Sequence, residues 1–375
     1  MSKLRVGVIG CGTIAQIAHV PHLFRYDEKF ELVALADLFE PLLHSVGDHY
    51  RVAGRHTDWR ELVRRDDIDA VVICHSGSHR DTTIAALEAG KHVFVEKPLA
   101  WNLREVEEVA AVANKTDRVL QMGYHKLHDP AFAYAKAQLE KMQDVGYGRI
   151  TVLHPSDSFG HSPHRIRLGS DKFREGHIPD ESTLEEQIED AANGLAGGAL
   201  TGLVDEALGA RKDDRRLRAA YGMLTVSLIH QVYTLHGFLG APKRVVSMAV
   251  WRGGLSIHGL VEYSGNLQVS IDWHSLHHLK DYREEYAFFG NHDRVIMQLP
   301  SPYFLHFPSP VIVQGHEGEL AWEKRIIVSY EEAFAQELLA FHANVEAGRL
   351  KPALCSIDDA VAHARFIQQL IDAAV

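Results

Sequence analysis

Long hydrophobic runs are missing from this chain of 375 residues. No apolar stretch approaches the ~18 to 20 residues that a bilayer-crossing helix needs, so no membrane function is expected. Cysteine is scarce. Cys11, Cys74 and Cys355 are an odd number without paired metal-ligand spacing, which argues against a disulfide framework and for a reducing compartment. Positive charge is also short, with Lys+Arg 39 against Asp+Glu 50 and a net charge of -11 when His is neutral. Charge of that sign repels phosphate backbones and anionic lipid, so neither nucleic acid nor a membrane surface is expected as a partner. Tandem repeats and low-complexity tracts are absent too. Met1 to Arg5 run straight into an apolar strand-like segment without the features of a secretion signal, and a cytoplasmic location is the expectation.

What is present is the composition of a folded protein long enough for two domains. From Leu4 to about Gly123, short β-rich runs alternate with helical patterns. The strand candidates are Arg5 to Ile9, Glu31 to Ala36, Ala70 to Cys74, His92 to Val95 and Val119 to Met122, each apolar on both parities. That alternation predicts an α/β domain over 1–123, a Rossmann-type doubly wound parallel sheet covered on both faces. Beyond it, over 124–375, runs of consecutive strands predict an α+β domain with a large, mostly antiparallel open sheet. Its strand candidates are Arg149 to His154, Arg244 to Trp251, Ser256 to Tyr263, Leu267 to Trp273, Glu285 to Phe289, Arg294 to Met297 and Trp322 to Val328. Helices are expected over Tyr221 to Leu239, near Glu331 to Ala347 and over Ile357 to Ala373. Residues 155–221 fit neither element class and read as an insertion with short helices of its own, such as Leu184 to Ala192, and a glycine-rich stretch from Gly194 to Gly202.

Directly after the first strand comes Gly10-Cys11-Gly12-Thr13-Ile14-Ala15, a G-x-G-x-x-A turn. Gly10 permits the tight turn, Gly12 lets the backbone approach a pyrophosphate, and Ala15 lets the helix pack closely on the strand. Asp37 ends the second strand candidate, 25 positions after Gly12, where a carboxylate accepts hydrogen bonds from ribose hydroxyls. Its charge also opposes a 2′-phosphate, and Leu38 and Phe39 bring no arginine to neutralise one. NAD is therefore expected over NADP.

Further along stand Val72-Ile73-Cys74-His75-Ser76-Gly77-Ser78-His79, then Ala89-Gly90-Lys91-His92-Val93-Phe94-Val95-Glu96-Lys97-Pro98, and finally Gly123-Tyr124 and Asp129-Pro130-Ala131-Phe132. With the opening turn, these segments resemble the glucose-fructose oxidoreductase / inositol dehydrogenase / rhizopine-catabolism (Gfo/Idh/MocA) family, densely over residues 4–130 and mainly in architecture afterwards. The resemblance implies an oxidoreductase that moves hydride between a nicotinamide cofactor and a secondary alcohol or ketone of a sugar, cyclitol or related polyol, acting as a homo-oligomer, a dimer or tetramer. It implies dinucleotide contacts at Gly10, Gly12, Thr13, Ile14, Asp37, Cys74, His75, Ser76, His79, Glu96, Lys97 and His125. Lys97 inherits a catalytic role, and an ammonium at the end of a parallel strand can stabilise alkoxide character on a substrate oxygen.

The resemblance also implies a general base on a long helix, a histidine four residues after an aspartate. His230 takes that place, but Val226 stands where the aspartate is usual and Leu228 where a glycine is usual. Ser227 shares its helix face without supplying a charge. Substrate contacts are expected at Tyr124, Ser227, His154, His161 and Arg165; the stretch that holds the last three, with His164 and Arg167, reads equally as a solvated loop. Neither this stretch nor His274, His277 and His278 has standard zinc spacing, and no metal is expected. The missing aspartate keeps a second reading open, a non-catalytic NAD-binding regulator of the same fold.

Overall fold

The computed structural model describes residues 3–169, 172–176, 181–193 and 198–375. The chain divides into two compact units. One takes in Met1–His125, Ser162–Gly176 and Phe334–Val361, and the other Lys126–His161, His177–Ala333 and Ala362–Val375. Two later segments thus join the first unit, where the sequence reading drew one division after residue 123.

The first unit is built on six parallel strands: β1 (Leu4–Ile9), β2 (Phe30–Ala36), β3 (Gly54–His56), β4 (Ala70–Ile73), β5 (His92–Glu96) and β6 (Leu120–Gly123). Their order is β3-β2-β1-β4-β5-β6, a doubly wound sheet whose direction of winding reverses between β1 and β4. All strands but β3 fall within one residue of their expected ends. β3 is three residues long and begins on glycine, too short to show a hydrophobic pattern. Helix Leu103–Ala113 starts where the Asn102 side chain accepts the Glu105 amide at 3.0 Å, satisfying one of the free N–H groups of its first turn.

The core of this unit is completed from far along the chain. Leu338 and Phe341, on helix Ala333–Glu346, join Val6, Val8, Leu35, Val72 and Phe94 in one buried cluster. Buried Gln121 fixes the helix position: its amide donates to Glu337 O at 3.0 Å and its carbonyl accepts from Asn344 at 2.9 Å. Such buried pairs contribute about 1 kcal/mol each while satisfied and cost more when one partner is removed.

The second unit carries an eight-stranded sheet with neighbours in the order Arg244–Trp251, Ser256–Glu262, Gln268–Ser275, Tyr147–His154, Arg283–Phe289, Arg294–Leu299, Pro310–Glu317 and Leu320–Ile327. Every pairing is antiparallel except that of Gln268–Ser275 with Tyr147–His154. The sequence reading did not anticipate Pro310–Glu317. The helix expected over Tyr221 to Leu239 is interrupted, running as Arg215–Met223, a wider π turn Leu224–Leu228, and Ile229–Leu239. At that turn the Thr225 hydroxyl donates to Tyr221 O at 2.8 Å, and such competition for the i−4 carbonyl bends helices.

Within 155–221 lie helices Asp157–His161, Leu184–Asn193 and Thr201–Leu208, and a hairpin of Ile166–Gly169 with Lys172–Arg174. Residues 194–197 of the glycine-rich stretch lie outside the described residues. Among the described residues, no helix is long and apolar enough to cross a membrane.

Candidate functional site

The candidate site grows from the end of β1. The Gly10 amide donates to Ala36 O at 2.8 Å, and Gly10 then adopts φ +96, where a Cβ would stand 2.4 Å from the His75 backbone nitrogen. Only glycine lets the chain leaving β1 pass this close to the chain leaving β4. At Gly12, by contrast, a Cβ would meet nothing within 4 Å. The space beside it belongs to a cleft of about 370 Å³ lined by Gly10, Gly12, Asp37, Leu38, Thr57, Trp59, Cys74, His75 and Ser76. These residues follow the carboxyl ends of β1 to β4 where the strand order reverses, the place where open α/β sheets bind ligands.

Asp37 is held by the turn it faces. One carboxylate oxygen accepts the Cys11 amide at 2.7 Å and the other the Phe39 amide at 2.8 Å, which leaves further lone pairs for hydroxyl donors. The residues present therefore fit the adenosine ribose and phosphates of a dinucleotide. Thr57 and Trp59 were not anticipated, because they follow the unrecognised β3. The Arg60 guanidinium lies 4.4 Å from the Trp59 ring centre.

The other expected cofactor residues play different parts. Ile14 packs against the hydrophobic core, and the Thr13 hydroxyl accepts from Arg174 at 3.0 Å. The Cys74 thiol is buried, donates to Gly10 O at 3.4 Å, and is pushed well up in pKa by burial. An inert thiol lines the cleft there. His75 places one ring nitrogen 2.9 Å from Ser76 O and the other 2.9 Å from Thr82 Oγ1. His79 is buried between Pro98 O at 2.7 Å and His75 O at 2.6 Å. Burial, helped by neighbouring His75 and opposed by those carbonyls, pulls its pKa down to about 4, so the ring is neutral at pH 7 and donates to one carbonyl only.

Glu96 turns into the interior. Its Oε1 lies 2.7 Å from His19 Nε2 and its Oε2 accepts the Lys97 amide at 3.0 Å. Burial raises the Glu96 carboxyl, but the His19 hydrogen bond and charge, with Lys97, bring it below the ordinary carboxylate value. His19, Glu96 and Glu337 place potential metal-ligand atoms within 4.8 Å of one another, yet the His19–Glu96 separation is that of a hydrogen bond and not of two ligands around an ion. Half-buried Lys97 follows at the carboxyl end of β5. Tyr124 is buried, and desolvation lifts its phenol well above the usual value. His125 is buried and stacked on Phe334 with ring centres 4.3 Å apart.

In the second unit, His230 begins helix Ile229–Leu239 immediately after the π turn, half-buried, with Nδ1 2.7 Å from the Tyr233 hydroxyl. Tyr233, one turn on, supplies an orienting contact that the sequence reading did not identify. Ser227 Oγ accepts from the Trp273 indole at 3.1 Å. Next to His230, Gln231 donates at 2.7 Å to buried Glu284, which also pairs with Lys126 and accepts from Tyr282 and Tyr286. His154 Nδ1 lies 2.7 Å from Pro155 O, and His161 stacks edge-on with Tyr303 at 4.4 Å. Arg165 belongs to the first unit, where its guanidinium lies 3.9 Å from the Phe173 ring centre and pairs with Glu175.

A cleft at the β1/β4 reversal, with an acidic residue at the end of β2, defines a nucleotide-binding α/β domain. Residues 4–124 match the oxidoreductase family, NAD-binding Rossmann fold, named Gfo/Idh/MocA. That match spans the six strands of the first sheet and ends there, about a third of the chain. It is 30% identical over 215 residues to the myo-inositol 2-dehydrogenase of Thermotoga maritima, a match covering 56% of this chain and 62% of that enzyme. It is 35% identical over 147 residues to the inositol 2-dehydrogenase/D-chiro-inositol 3-dehydrogenase of Shouchella clausii, covering 37% of this chain and 40% of that one. The chain thus matches less than two thirds of the length of either relative. A 3-ketoreductase from Actinomadura kijaniata, solved with NADP and TDP-benzene, superposes with TM-score 0.72 at 19% identity, covering 100% of this chain and 98% of that one. A probable dehydrogenase from Thermotoga maritima superposes with TM-score 0.67 at 22% identity, covering 99% and 95%. At these identities the solved structures speak to the fold.

The neutral His79 predicts acid sensitivity of this unit. Its folded pKa of about 4 lies below the ordinary 6.5, so between those values the unfolded chain binds the extra proton and stability falls with falling pH. By pH 5 this one group costs about 2 kcal/mol. Urea melts at pH 7 and pH 5 should show His79→Asn losing less stability between the two than the parent protein. Identical losses would remove His79 from the acid response.

Proposed function

We propose that this protein is an NAD-dependent oxidoreductase acting on a secondary alcohol or ketone of a sugar, cyclitol or related polyol. The observation that carries the reading is the placement of Lys97 at the carboxyl end of β5, on the same sheet edge as the Gly10–Gly12 turn and Asp37. The family of residues 4–124 and the inositol dehydrogenases among the relatives supply the substrate class. A nicotinamide dinucleotide held at the cleft would accept or return the hydride. Asp37 binds the adenosine ribose, and its negative charge disfavours a 2′-phosphate.

Lys97 stabilises negative charge on the substrate oxygen. Glu96 positions it, because a carboxylate anchored on His19 also fixes the Lys97 amide. His230 takes the hydroxyl proton on Nε2 in the tautomer whose Nδ1–H donates to Tyr233. A neutral phenol orients the ring but adds no charge to stabilise an imidazolium, and this difference from a carboxylate partner favours a second reading, a regulator that holds NAD without turnover. A cytoplasmic homo-oligomer remains part of the proposal.

A screen of polyols and cyclitols, followed by cofactor reduction, tests the chemistry. On the best substrate, His230→Ala should lower turnover by ~10² to 10⁴-fold with NAD affinity unchanged, and Lys97→Met should do likewise. Full turnover in His230→Ala would place the proton elsewhere; NAD binding without reduction by any polyol would support the regulator. Calorimetric titration should give NAD at least about tenfold tighter than NADP, the discrimination expected of one opposed charge in a partly screened site. Equal affinities would remove Asp37 from the ribose.

A further inference from the structure

The hairpin of Ile166–Gly169 and Lys172–Arg174 belongs to the first unit, although the chain on either side of 162–176 belongs to the second. It is fastened to the nucleotide turn by side chains. The Gln16 amide makes both possible bonds to the Arg167 backbone, accepting its N–H at 2.8 Å and donating to its carbonyl at 3.1 Å, and it also donates to Cys11 O at 2.9 Å. Gly169, at φ +107, lies so close to the start of helix Glu40–Tyr50 that a Cβ would stand 2.8 Å from the Phe39 ring. The hairpin is thus held against the glycine turn through Gln16 and against the start of helix Glu40–Tyr50 through Gly169.

Its last residue is Arg174, whose Nη2 donates to Thr13 Oγ1 at 3.0 Å. A guanidinium has five N–H donors. Among the described residues, Arg174 Nε is buried with no partner and no carboxylate pairs with this arginine. Nearby Arg165, by comparison, pairs with Glu175. An arginine with unspent donors, placed on the hydroxyl of the residue that follows Gly12, presents the chemistry that recognises phosphate.

We propose that this hairpin straps the dinucleotide site, with Arg174 pairing the cofactor's pyrophosphate. The proposal rests on the dinucleotide reading above and adds a residue outside the glycine turn. The phosphate pairs with the guanidinium charge, which no carboxylate among the described residues neutralises, and Gln16 couples the strap to the turn. Binding then strengthens through charge, and salt weakens it.

Isothermal titration of the parent protein, Arg174→Met, Arg174→Gln and Arg174→Lys with NAD and with adenosine decides the matter. Loss of one charged hydrogen-bonding partner should weaken NAD about tenfold or more in the Met and Gln variants, leave adenosine unchanged, and be partly restored by Lys. The salt dependence of NAD binding should flatten in the Met variant. NAD affinity within about twofold of the parent in the Met and Gln variants would be too small for such a contact and would overturn the strap alone. An equal loss for adenosine would mark a structural effect and overturn it as well. Failure of the parent protein to bind either NAD or NADP would overturn the dinucleotide reading and the strap with it.

Discussion

No side chain fits where the chain leaving β1 crosses the chain leaving β4, and the site depends on that constraint. The backbone of Gly10 packs against the backbone of His75 with no room for a Cβ, so the two strand exits part at the level of the turn and leave a cleft between their loops. Asp37 closes the third side and is fixed by the Cys11 and Phe39 amides. Cleft shape is therefore set by backbone contacts and is largely preformed, which lowers the ordering cost of binding.

Two buried ionic groups hold the catalytic candidates by different routes. Glu96 spends one oxygen on His19 and the other on the Lys97 amide, so the end of β5 is pinned from within the first unit. Glu284 gathers Lys126, Tyr282, Tyr286 and Gln231, the last being the neighbour of His230. Buried ion pairs contribute little net stability, but removing one partner of such a pair costs about 3 to 5 kcal/mol. Both clusters therefore specify position more than they add to stability.

The sheet of the first unit was legible because each long strand is apolar on both parities, and the glycine turn because its spacing is local. Asp37 could be placed for the same reason, one strand length past the turn. Long-range contacts left no such trace. Nothing local in Phe334 to Asn344 announces that the helix completes the first unit's core through Gln121, and β3 was too short to carry a pattern, which hid Thr57 and Trp59. Tyr233 as the partner of His230 is legible in principle, since residues three apart on a helix meet, but the resemblance points to a carboxylate four residues earlier and not to a phenol three residues later. Arg174 needed the hairpin fold before its position beside Thr13 could be seen.

The central claim is that the cleft beside Gly12 receives a dinucleotide's phosphates. Gly12 tests it cleanly, because a Cβ there meets no protein atom within 4 Å and should leave the fold intact while intruding on the ligand. Calorimetric NAD titration of Gly12→Ala, alongside its thermal melt, is the direct measurement. Gly12→Ala should melt close to the parent's temperature and bind NAD about tenfold or more weakly, the second glycine being the one that lets backbone approach pyrophosphate. Unchanged NAD affinity in the folded variant would contradict that claim and place the cofactor elsewhere.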